Sequence, residues 1–322
     1  MKLRRTLLGL VAATSFALAA DPALMSLLMR DPKLVAGIDV ERAKNTPLGQ
    51  KLLADVHGTD NNFQQFLSDT GFDPRRDIRE VLIASTGTQD PNSGLILVKG
   101  IFNPTKIAAF AQSQGVTATS YKGVDLWRAP VSKVGTGAMA FLDGTIAILG
   151  PEENVKAAID RRQAGNGGLN STLAAKVASW STINDAWVVS NVGIAGFGPF
   201  PNQGKSVQGF SVDSVRAASA GVRFGKVVEV TAEATMNTAQ DASAMADGIR
   251  FVAGFVKTNG DMHGGKAPEQ IVNMLETLQV SNFGTALKVN FAVPQADLEA
   301  LMNMGHAKTA QAERKAGPNA VK

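Results

Sequence analysis

The stretch Gly198-Pro199-Phe200-Pro201-Asn202-Gln203-Gly204-Lys205-Ser206 comes close to a phosphate-binding loop. It places five residues between its first glycine and Gly-Lys-Ser, where that motif has four. Pro199 and Pro201 also lack the N–H groups that must cradle a phosphate. The residues that follow, Phe210 to Val215, read as extended chain where a helix is required. Gly193-Ile194-Ala195-Gly196-Phe197-Gly198 is misspaced for a dinucleotide fingerprint. Nucleotide binding is therefore not expected. What the stretch does offer is Phe197 and Phe200 set among Gly and Pro. They are candidate binding residues, an apolar patch for a partner or ligand. The alternative is that both rings tuck under the loop and plug a core edge.

His57, His263 and His306 are the three histidines, and none has a second histidine or a carboxylate at metal-ligand spacing. No metal site is expected. There is no Gly-x-Ser-x-Gly elbow and no Ser-x-x-Lys pair. A triad drawn from distant residues stays open, since triads are defined by geometry. Glu229 and Glu233 share a strand face about 13 Å apart, at ~3.3 Å per residue. That is too wide for a glycosidase pair, and a solvated sheet face is the plainer reading. Asp73 to Asp77 carries mixed charges in a turn, where Asp73 or Asp77 can cap and Arg75 and Arg76 can pair locally. The cysteine count is zero, which removes disulfides, thiolate metal sites and Cys nucleophiles. No cofactor is expected.

The elements that would position such residues begin after an apparent address. Lys2, Arg4 and Arg5 precede an uncharged, apolar run from Thr6 to Ala20, with Ala17-Leu18-Ala19 near its end. These are the three parts of a secretory signal peptide, assigned to residues 1–20. The run of about 15 residues is short for a bilayer span. Arg4-Arg5 also loosely fits a twin-arginine signal. The mature protein is expected to be exported to the periplasm or beyond, with no transmembrane segment. The signal carries three of the four net positive charges, and the tail from His306 to Lys322 is net +3, so the remaining body is net −2. The body has no Lys/Arg cluster and only one tyrosine, Tyr121, so nucleic acid is not an expected partner. The polar tail reads as disordered.

Alternation and turn signals predict strand–strand–helix units. In one, Ala218–Phe224 and Val228–Met236 flank Gly225-Lys226, followed by a helix whose Met245, Ile249, Val252 and Val256 form a core stripe. Leu278–Phe283 and Ala286–Val293 form a second, with a helix opened by Pro294. Glu80–Ser85 with Leu95–Phe102, and Ala138–Leu142 with Thr145–Leu149, give two more. Their helices are opened by Pro104 and Pro151. A lone strand precedes each pair of units, Leu34–Val40 and Ala186–Val192. Tyr121–Ala129 reads as one further strand. The predicted class is α+β, with duplicated units forming mostly antiparallel sheets and helices packed on one face. The predicted division is a first half over 21–163, a linker with a short helix over 164–184, a second half over 185–305, and a tail over 306–322.

Asp21-Pro22-Ala23-Leu24, Ala36-Gly37-Ile38-Asp39-Val40, Thr70-Gly71-Phe72-Asp73-Pro74-Arg75-Arg76-Asp77 and Ile159-Asp160-Arg161 occur in that order. In this the first half resembles a family of exported bacterial proteins of unknown function, found notably in acidobacteria. The resemblance implies export and an α+β fold and brings no activity or site residues. The sequence therefore points to an exported, non-catalytic envelope protein that binds a protein or an apolar ligand. The alternatives are an exported hydrolase with an unrecognised site, involving His57 or His263, and a scaffold or chaperone-like envelope component.

Overall fold

A computed structural model of the chain describes residues 19–54, 61–87, 94–128, 137–193, 212–259 and 267–304. Among the described residues twelve strands form one sheet. They are β1 (Leu34–Asp39), β2 (Ile78–Ser85), β3 (Gly94–Gly100), β4 (Ala118–Tyr121), β5 (Val124–Arg128), β6 (Gly137–Phe141), β7 (Ile146–Pro151), β8 (Ala186–Ser190), β9 (Val215–Arg223), β10 (Val227–Met236), β11 (Gln279–Phe283) and β12 (Ala286–Pro294). The order across the sheet is β11-β12-β10-β9-β8-β1-β2-β3-β7-β6-β5-β4. Every neighbouring pair is antiparallel. The fold is α+β. The two lone strands, β1 and β8, lie side by side at its middle, with Val35 opposite Val189 and Gly37 opposite Trp187.

The helices are α1 (Pro22–Met25), α2 (Val40–Ala43), α3 (Pro47–Ala54), α4 (Asn61–Thr70), α5 (Pro74–Asp77), α6 (Pro104–Ser113), α7 (Glu152–Ala164), α8 (Ser171–Ile183), α9 (Ala239–Asn259) and α10 (Glu269–Glu276), with α11 over 295–304. Asp21, Asp39, Asp73, Asn103 and Asn170 each accept a backbone N–H at the start of the helix they precede. That supplies partners for amides the helix itself leaves free.

Two buried clusters sit on this sheet. In the first, Val35, Leu82, Leu97, Ile148, Trp187 and Val189 of the strands pack with Val155 and Ile159 of α7 and with Leu173, Val177 and Trp180 of α8. In the second, Ala218, Ala234 and Leu287 of β9, β10 and β12 pack with Ala242, Met245 and Ala246 of α9. The register fixes how the clusters relate. Val189 is opposite Ser219, so Ala218 points to the other face. Each helical layer covers one face, and the two layers lie on opposite faces of the shared sheet. Behind the first layer, Ile83 and Ile96 stand directly opposite one another at 41% and 38% exposure.

Three local expectations are corrected. Where one strand was expected over Tyr121–Ala129, Tyr121 ends β4 and Val124–Arg128 is β5, a hairpin joined by Lys122 (φ 49°) and Gly123 (φ 81°), with Ala129 outside the described residues. Two successive left-handed residues make a tight turn that fits the strand twist. Pro151 and Pro294 are the last residues of β7 and β12, one position ahead of the helices they were expected to open. The short linker helix is the 13-residue α8. Its Leu173, Val177 and Trp180 recur at i, i+4 and i+7 and are all buried.

Candidate ligand-binding cleft

The helix α9 is opened by reciprocal capping: the Asp241 N–H donates to Thr238 Oγ1 at 3.0 Å, and the Thr238 N–H donates to Asp241 Oδ2 at 3.0 Å. This is the capping-box logic with Asp in place of Glu. The first turns of α9 are held to the sheet through Ala242, Met245 and Ala246. Further along the same helix Ile249, Val252, Ala253 and Val256 form one wall of a cleft of about 420 Å³. Ile271, Met274 and Leu275 of α10, with Leu278, form the other wall, and Val289 and Phe291 of β12 form the floor.

The stripe Met245, Ile249, Val252, Val256 thus departs from the expected core stripe. Met245 is buried and Ile249 packs against the same core cluster at the cleft's edge, whereas Val252 and Val256 face the cleft. The physical reason is α10, which buries none of its own residues and so leaves the space beside α9 open. Sequence reasoning missed α10. Its signal was present as Ile271, Met274, Leu275 and Leu278 at i, i+3, i+4 and i+7.

All ten lining residues are apolar. Such a wall can exclude water from hydrocarbon, and its volume falls in the range of small-molecule pockets. It presents no side chain able to accept or donate a proton, so nothing in it can perform acid–base or nucleophilic chemistry.

The candidate binding residues Phe197 and Phe200 lie outside the described residues, as do His57, His263 and His306. Among the described residues no cluster of His, Asp and Glu has metal-site geometry. Glu229 pairs with Arg223 at 2.5 Å and Glu233 with Lys288 at 3.2 Å, both across strands on the polar sheet face. At Asp73–Asp77, Arg75 pairs with Asp73 at 2.8 Å and Arg76 with Asp77 at 2.7 Å. The Asp73 carboxyl is held below its ordinary range chiefly by its hydrogen bond from Arg75, and Asp77 by that from Arg76. The Asp160-Arg161 pair is likewise structural. Tyr121 Oη donates to Asp160 at 3.1 Å, and Arg161 Nε donates to the Leu27 carbonyl at 2.9 Å. Burial lowers the pKa of Arg161.

A charged side chain of the first half joins the segment that enters the second half. Arg42 of α2 donates from Nε to Asp185 Oδ1 at 2.5 Å, from Nη1 to the Thr182 carbonyl and from Nη2 to the Ser181 carbonyl, at 3.1 Å each. It also donates to the Asn184 carbonyl. Asp185 is almost fully enclosed, with its side chain 4% exposed, and its other oxygen accepts the Phe224 N–H at 2.5 Å. A buried carboxylate is tolerated because it is paired and fully hydrogen-bonded.

No family model matches the chain, and no curated protein matches it. Among solved structures it is similar to crystal form III of TP0453, with a TM-score of 0.54 at 9% identity over 86% of this chain and 96% of that one. Crystal form I of the same protein gives a TM-score of 0.49 at 9% identity, over 88% and 97%. At this identity the first likeness speaks to the path of the chain through the sheet and its helices. The fold of this chain is therefore one that TP0453 shares along nearly its whole length.

Proposed function

We propose that this chain is an exported, non-catalytic protein of the cell envelope that holds the hydrocarbon part of an apolar ligand between α9, α10 and β12. The observation that carries the reading is the lining of the cleft: ten apolar side chains from two helices and a strand around about 420 Å³. Leaving such surface in water is unfavourable, and burying alkyl groups there gains about 0.8 kcal/mol per CH₂. The basic, apolar and small-residue run over residues 1–20 supports export to the periplasm or beyond, as does the resemblance of the first half to exported bacterial proteins. Among the described residues no helix is long and apolar enough to cross a membrane.

The test is a series of straight-chain alkyl probes carrying a fluorophore. At about 0.8 kcal/mol per CH₂, each added methylene should tighten Kd about fourfold until the cleft is filled. Met274→Asp places a charge in the wall. Because α10 buries none of its residues, the variant should keep its Tm while weakening the longest probe at least about tenfold. Affinity independent of chain length, or unaffected by Met274→Asp, would overturn the reading. Cell fractionation tests the location, which predicts the processed protein outside the cytoplasm.

A further inference from the structure

A second concavity, of about 730 Å³, surrounds the point where the chain leaves the expected signal peptide. Ala19, Ala20 and Asp21 lie in its wall, together with Glu80 of β2, Lys99 of β3 and Ser181 of α8. The Asp21 N–H donates to both carboxylate oxygens of Glu80, at 3.1 and 3.2 Å. The Ala20 N–H donates to Ser181 Oγ at 3.0 Å. Two consecutive main-chain nitrogens at the end of the expected signal are therefore drawn inward, onto residues about 60 and 160 positions away.

The charges there do not balance at Glu80. Lys99 is taken by the carboxylate of Asp21. Arg42 is taken by Asp185 and Asp39, at 2.5 and 3.7 Å. Among the described residues no cation forms an ion pair with Glu80; the charges of Asp21 and Asp39 disfavour its ionisation, while the Asp21 N–H and the charge of Lys99 favour it. Burial is the largest influence and raises its pKa to about 7. A largely buried carboxyl held by a main-chain nitrogen, beside two other carboxylates and with no direct ion pair, would be stabilised by a further positive charge at bonding distance.

Cleavage of a peptide bond creates that charge. Ala17-Leu18-Ala19 sets small residues where a signal peptidase reads them, and hydrolysis of the Ala19–Ala20 bond leaves a carboxylate on Ala19 and an ammonium on Ala20. We propose that signal removal occurs after Ala19 and that the new Ala20 ammonium docks in this concavity, bonded to Ser181 Oγ, as the counter-charge of Glu80. The ammonium sits one residue along the chain from the amide that Glu80 already binds. An α-amino group has three donors in place of one. It keeps the bond to Ser181 and has two more to offer the carboxylates around it. The groups facing it are Asp21, Asp39 and Glu41 as anions and Lys99, Arg42 and Arg79 as cations. Removal of the address thereby completes the fold it leaves behind.

This inference rests on the export reading, and the experiment separates the two. The full chain is expressed in a bacterial host, and the intact mass of the product is measured in each cell fraction. The expected product outside the cytoplasm begins at Ala20. An unprocessed chain retained inside would sink both export and docking; an exported chain beginning at any other residue would sink docking alone. The processed protein is then acetylated selectively at its α-amino group, which ordinarily titrates near about 7.7–8.0, well below lysine. Acetylation should lower Tm by at least about 2–4 °C. Glu80→Gln should erase that difference, and an acetylation effect that survives Glu80→Gln would overturn the pairing. Should that variant not fold, the pH dependence of α-amino labelling decides instead. A docked ammonium titrates above the ordinary range, and a value within that range would count against docking.

Discussion

Replacing Glu80 by Gln probes a largely buried carboxyl that forms no ion pair among the described residues. Consider the chain with Ala20 still in amide linkage, either with its leader attached or acetylated. Glu80 accepts the Asp21 N–H with both oxygens. Burial is the largest influence on its carboxyl; the Asp21 N–H and the Lys99 charge oppose it, the charges of Asp21 and Asp39 add to it, and the pKa rises from 4.5 to about 7. In the unfolded chain the group titrates at its ordinary value. Between those limits the folded state binds a proton that the unfolded state has lost. The stability linked to Glu80 is therefore fully present below about pH 4.5 and is lost as pH rises through about 7. At about 1.36 kcal/mol per pH unit the ceiling is roughly 3 kcal/mol. Because part of the side chain still meets solvent, about 1–2 kcal/mol is the expected size. Gln keeps an oxygen for the Asp21 N–H and never ionises. In urea unfolding followed by circular dichroism, the variant should match the parent near about pH 4 and exceed it by about 1–2 kcal/mol near about pH 8. Asp143 and Glu152, both lowered to about 2, destabilise the two proteins alike in acid and cancel in the comparison. A difference independent of pH would refute the burial argument. In the processed chain the docked ammonium reverses the sign, so there Glu80→Gln should destabilise.

Arg42→Ala leaves the Asp185 carboxylate enclosed without its cation, and should cost about 3 kcal/mol in chemical unfolding. A cost under about 0.5 kcal/mol, the size of an exposed pair, would show that Arg42 is dispensable there. Gly221→Ala should destabilise by about 1–3 kcal/mol, because a Cβ there would lie 2.2 Å from Asn184 Cγ and 2.4 Å from its Nδ2. Thermal melts check this, with an unchanged Tm counting against the close approach. Ile83→Lys, on the open face of β2 at 41% exposure, should leave Tm within about 2 °C, as substitutions at exposed positions do. A large drop in Tm would mean that this face is covered.

Much of the architecture was legible in the sequence because it rests on local signals. Strict alternation over Val228–Met236 marks β10, and the turns at Gly225-Lys226 and Gly284-Thr285 mark hairpins that the structure contains. Asp73 announces a helix start through short-range capping, and Pro104 opens α6 as expected. Boundaries slipped where two local signals competed. Lys122-Gly123 was absorbed into one apolar run, though its two left-handed residues turn the chain back on itself. The cleft was half legible. The α9 stripe was read correctly as an apolar helical face, but whether such a face is covered depends on what packs against it.

By itself the sequence determined most of the elements and the absence of thiol chemistry. These follow from residue type, spacing of 2 or 3.6, and counting. Only the tertiary structure decided where those elements meet. The pairing of β1 with β8 joins all twelve strands in one sheet and, through its register, sends the two helical layers to opposite faces. The gap between α9 and α10 turns two ordinary apolar stripes into a cleft. Glu80 reads in sequence as a polar residue at the start of a strand, and it becomes a buried carboxyl only because Asp21, some sixty residues earlier, folds over it. Each of these depends on contacts between residues distant in the chain, and no local pattern carries that information.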